Sequence, residues 1–248
     1  FKLWAPTASK VTLCTYGAQG VAHSEHAMTF DAATGVWRFD PRNHHRHGDD
    51  DEDDDHDDDD RPRGLYYKYA VEVFVRGVGV VRNLVTDPYS ISLNANSQRS
   101  YIADLDSPWL MPPGWRHASS PDAVRAQEDM SIYELHVRDF SANDSTVSAR
   151  NRGKYLAFTE ANSNGMRHLR GLARAGVTDV HLLPVFDFAS TPEQGCITPT
   201  IPNAAPDSEA QQAAAGAARA TDCFNWGYDP WHFTAPEGSF ASNADDGA

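Results

Sequence analysis

Alternating apolar and polar positions dominate the first third of the chain. Residues 1–16, FKLWAPTASKVTLCTY, alternate through Val11 and Leu13 after a proline turn, and residues 65–75, LYYKYAVEVFV, alternate again. A period of two residues is typical of strands that bury one face. Because Gly and Pro separate these short segments and no helical period occurs before residue 115, the pattern predicts a small β-sandwich.

The pattern changes after PPGW at residues 112–115. SIYELHVRDF, residues 131–140, predicts a strand, and GMRHLRGLARAG, residues 165–176, predicts a helix that ends at a glycine. VTDVHLLPVF, residues 177–186, is a nearly continuous apolar run, as expected of a strand buried on both faces. A strand, a helix and a second strand form a βαβ unit, which predicts the start of a parallel α/β sheet or barrel.

These patterns predict a multidomain chain. Residues 1–115 form the β-sandwich module, and residues 116–248 form the start of the α/β part. We assign Trp4 and Trp37 to the sandwich core, with sugar-binding platforms as the alternative. Within the interruption at residues 195–222, AAPDSEAQQAAAGAARA predicts a surface helix.

Charge is concentrated in one segment. The 248 residues carry a formal net charge of -14, but residues 49–60 hold 11 of the 35 acidic residues, which leaves 24 acidic against 21 basic residues elsewhere. This balance predicts no nucleic-acid partner. Residues 44–60, HHRHGDDDEDDDHDDDD, have too few apolar groups to fold, so we predict a disordered insert. The alternative is a metal site, which needs a fixed ligand geometry.

The cysteines and the hydropathy of the sequence further restrict the class of protein to which this chain can belong. Cys14, Cys196 and Cys223 show no CxxC spacing, which favours thiols in a reducing compartment, with a Cys196–Cys223 bridge as the alternative. No apolar run approaches the ~18 residues that span a bilayer, so we expect no membrane partner. The first residue is Phe, so we expect the true start and any targeting peptide to lie outside this chain.

Residues 224–233, FNWGYDPWHF, place five aromatic side chains in one short stretch after the second predicted α/β strand. This is the side of the sheet where α/β barrels keep their active sites. Sugar rings have an apolar face that Tyr and Trp rings bind, while nearby polar groups take the hydroxyls. The stretch therefore predicts a carbohydrate platform, and core packing is the alternative.

Five motifs of this chain together resemble one family. In order, they are FKLWAPTASKV, LVTDPYSISLNANSQRS, YELHVRDFS, GVTDVHLLPVFDFA and NWGYDP. They resemble the pullulanase type of starch-debranching enzyme in the alpha-amylase superfamily, and SANDSTV and PDSEAQQ are similar to its plant limit-dextrinase branch. The resemblance implies an N-terminal fragment, with a starch-binding-module type of β-sandwich followed by the first βαβ part of a truncated (β/α)8 barrel. It implies a retaining glycoside hydrolase that cleaves α-1,6-glucosidic branch linkages.

The resemblance also implies substrate-binding residues. Tyr228 matches the tyrosine that stacks on the sugar at the cleavage site, and Trp226 and Asp229 would help build the same pocket. Phe224 stands where the family more often has Tyr, so a hydroxyl contact is lost there.

Catalytic residues are not expected in this chain. Retaining glycosidases need two carboxyl groups about 5 Å apart, and the family carries them on later barrel strands. Four carboxylates lie at strand ends here, and we assign them to capping and loop hydrogen bonds instead: Glu134, Asp139, Asp187 and Asp229. We therefore expect the chain alone to be inactive.

The resemblance implies branched α-glucans as partners, namely starch, limit dextrin and pullulan, and a plastid location. No cofactor is evident and no metal ligand is assigned, although a structural calcium is an expectation for the full-length enzyme. Two alternatives stay open: a non-catalytic α-glucan-binding module, and a fragment of an isoamylase or branching enzyme.

Overall fold

The computed structural model of this protein describes residues 1–17, 19–41, 66–108, 110–119 and 124–245. The chain forms two compact units, Phe1–Ile102 and Ala103–Asp246. The insert predicted at residues 44–60, with its alternative metal site, lies outside the described residues.

Two antiparallel sheets form the first unit. Their strands are β1 (Lys2–Trp4), β2 (Ala8–Tyr16), β3 (Ala22–Ala27), β4 (Thr29–Asp31), β5 (Val36–Arg38), β6 (Tyr66–Val75), β7 (Gly79–Val85) and β8 (Ser100–Tyr101). One sheet has the order β1-β5-β4, and the other has the order β3-β2-β6-β7, with β8 paired to β6. The predicted β-rich first part is therefore confirmed.

One hydrophobic core contains residues from both sheets. Its buried members are Leu3, Val11, Leu13, Met28, Trp37, Phe39, Tyr67 and Tyr69. Leu3 lies opposite Trp37 in the pairing of β1 with β5, and both side chains are buried. Successive strand residues point to opposite faces, so Trp4 faces outward and is 67% exposed. The core assignment of Trp37 is confirmed, and that of Trp4 is wrong.

A buried aspartate connects the core to the segment after β7. The hydroxyl of Tyr67 donates to Asp87 Oδ2 at 2.8 Å, and that of Tyr69 donates to the same oxygen at 3.4 Å. The Asp87 N–H donates to Ser100 Oγ at 2.9 Å. Burial and then the Asp87 charge raise the pKa of both tyrosines, so they remain donors. This part of the LVTDPYSISLNANSQRS motif therefore stabilises the sandwich.

The second unit contains a parallel strand pair and an antiparallel one. Its elements are β9 (Ile132–Leu135), α1 (Val137–Ser141), α2 (Asn164–Arg174), β10 (Asp179–Leu182), β11 (Phe186–Phe188), α3 (Ala210–Ala218) and β12 (Pro230–Pro236). β9 and β10 pair in parallel, with Tyr133 opposite Val180, and α2 lies between them in the sequence. β11 pairs with β12 in antiparallel fashion.

Two expectations for this unit are corrected. The strand predicted at residues 131–140 ends at Leu135, because the His136 side chain accepts a hydrogen bond from the Asp139 N–H and caps α1. The strand predicted as buried on both faces is short and open: Val180 is 48% exposed and Leu182 is 39% exposed. Among the described residues, β10 pairs with β9 alone, so no further strand extends this sheet.

The helix predicted near residues 204–220 is present as α3, and most of it is exposed. Across the described part of the chain, no helix combines the length and the apolar character needed to cross a bilayer.

Candidate functional site

The aromatic loop, defined here as residues 224–229, connects the residues after α3 to strand β12. Its large side chains are exposed: Trp226 is 62% exposed, Tyr228 is 66% exposed and Phe224 is 40% exposed. Exposed rings of this size do not contribute to a core. The structure therefore does not support the alternative that Trp226 and Tyr228 pack in a hydrophobic core.

The backbone of this loop packs tightly at Gly227. Gly227 has a φ of +87°, and an added Cβ would lie 2.9 Å from the Cβ of Pro184 and 3.1 Å from Cδ1 of the Phe188 ring. Phe188 is buried among the hydrophobic side chains of the second unit. Glycine at this position allows the loop backbone to rest on β11 while the rings on either side stay exposed.

Side chains within the loop fix its conformation. The Gly227 N–H donates to Asn225 Oδ1 at 2.8 Å, and Asn225 Nδ2 donates to Asp229 Oδ1 at 3.1 Å. Ser190 Oγ donates to the other carboxylate oxygen of Asp229, and the Ala189 N–H donates to the Asp229 carbonyl at 3.1 Å. The Asp229 carboxylate thus holds the loop to the end of β11, and its contact with a substrate stays a prediction.

His136, which the sequence analysis did not select, contacts the same loop. Its Nε2 lies 2.7 Å from the Asn225 carbonyl oxygen, and its ring packs against Phe224 and Phe240 with centroids 5.4 Å and 5.5 Å away. The available signal was its position, since a polar residue directly after a strand stands at the sheet edge where sites are built.

A disulfide bond closes the segment before the loop. Cys196 and Cys223 are bonded, with Cα atoms 5.0 Å apart, while Cys14 is a free, buried thiol. The Ile197 N–H donates to the Thr221 carbonyl at 2.8 Å, and the Cys223 N–H donates to the Ile197 carbonyl at 3.0 Å. The assignment of all three cysteines as thiols is therefore wrong, because backbone pairing brings the two ends of the segment together.

The strand-end carboxylates have protein partners. Asp187 Oδ2 lies 2.6 Å from His232 Nδ1, and both side chains are buried. The exposed Glu134 pairs with His181 at 3.0 Å, and Asp139 pairs with Arg138 at 2.8 Å.

One cluster of acidic groups has oxygens close enough together to hold a metal ion. Oxygens of Asp187, Glu193 and Glu237 lie within 4.8 Å of one another, and carboxylate oxygens are ligands that Ca²⁺ prefers. Glu237 is fully buried, and burial raises its pKa. Its two oxygens already accept hydrogen bonds from the Phe188 N–H at 3.0 Å and the Ser239 N–H at 2.8 Å.

A positive group compensates this cluster. Lys154 Nζ donates to the Ser239 carbonyl at 2.5 Å. Burial lowers the pKa of Lys154, and the charges of Glu237 and Glu193 oppose that shift. The charges of both glutamates thus act on Lys154, and we assign no metal ion to these residues.

Comparison with known proteins gives a consistent result. Residues 1–90 match the family described as carbohydrate-binding module 48 (isoamylase N-terminal domain). The chain is 35% identical to a pullulanase of Klebsiella pneumoniae over 284 residues, which cover 98% of this chain and 24% of that protein. It is 36% identical to the chloroplastic pullulanase 1 of Arabidopsis thaliana over 248 residues, covering 97% of this chain and 24% of that protein.

The similarity extends to solved structures. The crystal structure of Klebsiella pneumoniae pullulanase complexed with maltotriose matches with a TM-score of 0.84 at 33% identity, over 99% of this chain and 26% of that one. The present chain thus spans about a quarter of the length of these relatives.

Proposed function

Since this chain belongs to the pullulanase family, we propose that it forms part of a glycoside hydrolase that cleaves α-1,6-glucosidic branch linkages in starch-derived glucans. Two findings support the proposal: the identity of 35% over nearly the whole chain, and the carbohydrate-binding module at residues 1–90. Branched α-glucans are the partners that follow from it. A plastid location is part of the proposal because one relative is a chloroplastic pullulanase.

The two domains have different roles in this proposal. Residues 1–115 serve as the glucan-binding β-sandwich, and residues 116–248 contribute the first βαβ part of a (β/α)8 barrel. The parallel pairing of β9 with β10 supports the barrel assignment. So do the exposed apolar side chains of Val180 and Leu182, because a complete barrel covers such strands with helices. A structural calcium in the full-length enzyme stays a prediction.

The aromatic loop is proposed as the sugar platform of this enzyme. The observation that carries the assignment is the combination of exposed Tyr228 and Trp226 rings with a loop backbone anchored at Gly227. A rigid, exposed ring binds the apolar face of a sugar without having to be ordered first. Asp229 would act mainly by holding the loop through Ser190 and Asn225.

Tyr228 provides the test, made in the full-length enzyme with an α-1,6-linked substrate. Tyr228→Ala removes the ring face and should lower kcat/KM about fivefold or more, because aromatic contacts of this kind contribute ~1 kcal/mol or more. Tyr228→Phe keeps the face and should lower it much less. Tyr89→Ala is the matched control, since Tyr89 is 75% exposed in the first unit.

Melting curves of the same variants distinguish binding from packing. A fall in kcat/KM with an unchanged melting temperature supports the platform. Parallel losses of rate and melting temperature in Tyr228→Ala would mean that the ring is a packing element. If Tyr228→Phe were as slow as Tyr228→Ala, the hydroxyl and not the ring face would be the important group.

A second candidate function is a glucan-binding module without catalysis. The match of residues 1–90 to a carbohydrate-binding family favours it for the chain taken alone. The two functions are compatible, because a binding module and a catalytic barrel occur together in the enzyme proposed here.

A further inference from the structure

His136 joins two parts of the second unit through its two ring nitrogens. It follows β9 directly, and its Nδ1 accepts a hydrogen bond from the Asp139 N–H at 3.3 Å, which caps α1. Its Nε2 lies 2.7 Å from the carbonyl oxygen of Asn225, 89 positions later in the chain. The side chain is 8% exposed, so these two contacts are made away from bulk water.

The two contacts give the two ring nitrogens different roles. A carbonyl oxygen only accepts hydrogen bonds, so the contact with Asn225 requires a proton on Nε2. Nδ1 accepts from the Asp139 N–H. Each nitrogen thus has a separate partner and a separate role.

Asn225 is the point at which the aromatic loop is fixed. Its carbonyl accepts from His136, its side-chain oxygen accepts from the Gly227 N–H, and its side-chain nitrogen donates to Asp229. The bond from His136 is the one among these three that comes from outside the loop. The Phe224 ring packs against the imidazole in a tilted arrangement, with the ring centroids 5.4 Å apart.

We propose that His136 is a positioning residue: through its Nε2–H bond to the Asn225 carbonyl it holds the aromatic loop in the conformation that binds an α-glucan. The choice of an α-glucan as the ligand rests on the proposed function. The ordering of the loop by His136 rests on the observed contacts alone. Loss of this bond leaves the loop attached at Asp229 but free to move at Asn225, so Trp226 and Tyr228 must be ordered again each time a sugar binds.

Two substitutions separate the roles of the two nitrogens. In His136→Asn the side-chain oxygen can replace Nδ1 as the cap of α1, but the side chain is too short to reach Asn225. In His136→Gln the terminal amide can replace the Nε2–H donor, while the cap is lost. Both variants remove the ring and its packing on Phe224 and Phe240. They therefore differ only in which bond is kept: His136→Asn keeps the cap of α1, and His136→Gln keeps the bond to the loop.

Amide hydrogen exchange measures the positioning without a ligand. In the full-length protein, the amides of residues 224–229 should exchange about fivefold faster in His136→Asn than in His136→Gln, as expected for loss of one hydrogen bond. His168→Asn is the matched control, because that exposed ring packs on Tyr133 and should leave these amides unchanged. Equal exchange in the two His136 variants would overturn the positioning role.

Maltotriose binding, measured by calorimetry on the same proteins, tests the consequence. His136→Asn should bind maltotriose about fivefold more weakly than His136→Gln, even if its melting temperature is the higher of the two. Affinities that simply follow the melting temperatures would refute the inference and leave a structural role. If the wild-type protein binds no maltotriose, the proposed glucan function fails, and the exchange experiment still decides whether His136 positions the loop.

Discussion

Gly227→Ala tests how the aromatic loop is supported. The added Cβ would be placed 2.9 Å from the Cβ of Pro184 and 3.1 Å from the ring of Phe188. Pro184 is held by its own ring and Phe188 is buried, so neither can move away cheaply. The φ of +87° adds a second cost, because this conformation is unfavourable for residues with a Cβ.

The two costs can be estimated separately. A left-handed backbone conformation costs an alanine about 1–2 kcal/mol. An extra methyl group in a well-packed region costs about 1–3 kcal/mol. Gly227→Ala should therefore lower the free energy of unfolding of the second unit by about 2–5 kcal/mol, provided that the costs add.

Two other glycines of the second unit serve as matched controls. Gly195 has a φ of +71° and nothing within 4 Å of an added Cβ, so Gly195→Ala measures the backbone cost alone. Gly171 lies inside α2 with open space around it, so Gly171→Ala should stabilise by about 0.5–1 kcal/mol. The assay is scanning calorimetry or urea denaturation of all three variants. If Gly227→Ala were no more destabilising than Gly195→Ala, the result would contradict the close packing of the loop backbone on Phe188.

Two further outcomes are expected. Deletion of residues 44–60 should change the melting temperature of the sandwich by less than roughly 5 °C, about 1 kcal/mol for a small domain, because this segment cannot bury enough apolar surface to order itself; calorimetry that shows a larger fall would contradict it. The purified 248-residue chain should release no reducing sugar from pullulan above a blank, because no catalytic carboxylate pair is assigned to it; measurable release would refute that assignment.

The local sequence patterns predicted where the strands and helices lie better than they predicted which of their side chains are buried. The period of two residues identified β2 and β6, which contribute Val11, Leu13, Tyr67 and Tyr69 to the core. It did not predict that neighbours on the opposite face, such as Thr12 and Ala70, are buried as well. The same logic failed for Trp4, since apolar character does not say which of two neighbours faces inward. The expectation of burial failed for Val180 and Leu182 as well, because the apolar run of a strand does not show whether helices cover its faces.

The aromatic loop was recognisable in the sequence for a different reason, and its binding role stays a prediction. Exposed rings at residues 226 and 228 agree with a platform, and aromatic composition made them visible in the sequence. His136 was missed because its partner is a backbone carbonyl, which leaves no trace in the residue types around Asn225. The Cys196–Cys223 pairing was only the alternative to free thiols, because separation along the chain does not give a distance in space.

The two ends of the segment between Cys196 and Cys223 lie close together, since their Cα atoms are 5.0 Å apart. A loop whose ends are adjacent can change in length at little cost in free energy, because the entropic cost of closing the loop grows slowly with the number of residues. Insertions and deletions in this part of a gene therefore leave Phe224 and the residues after it in place. The exposed helix α3 lies within this segment, which makes it a suitable position for grafting an affinity tag, a reporter domain or a second binding module.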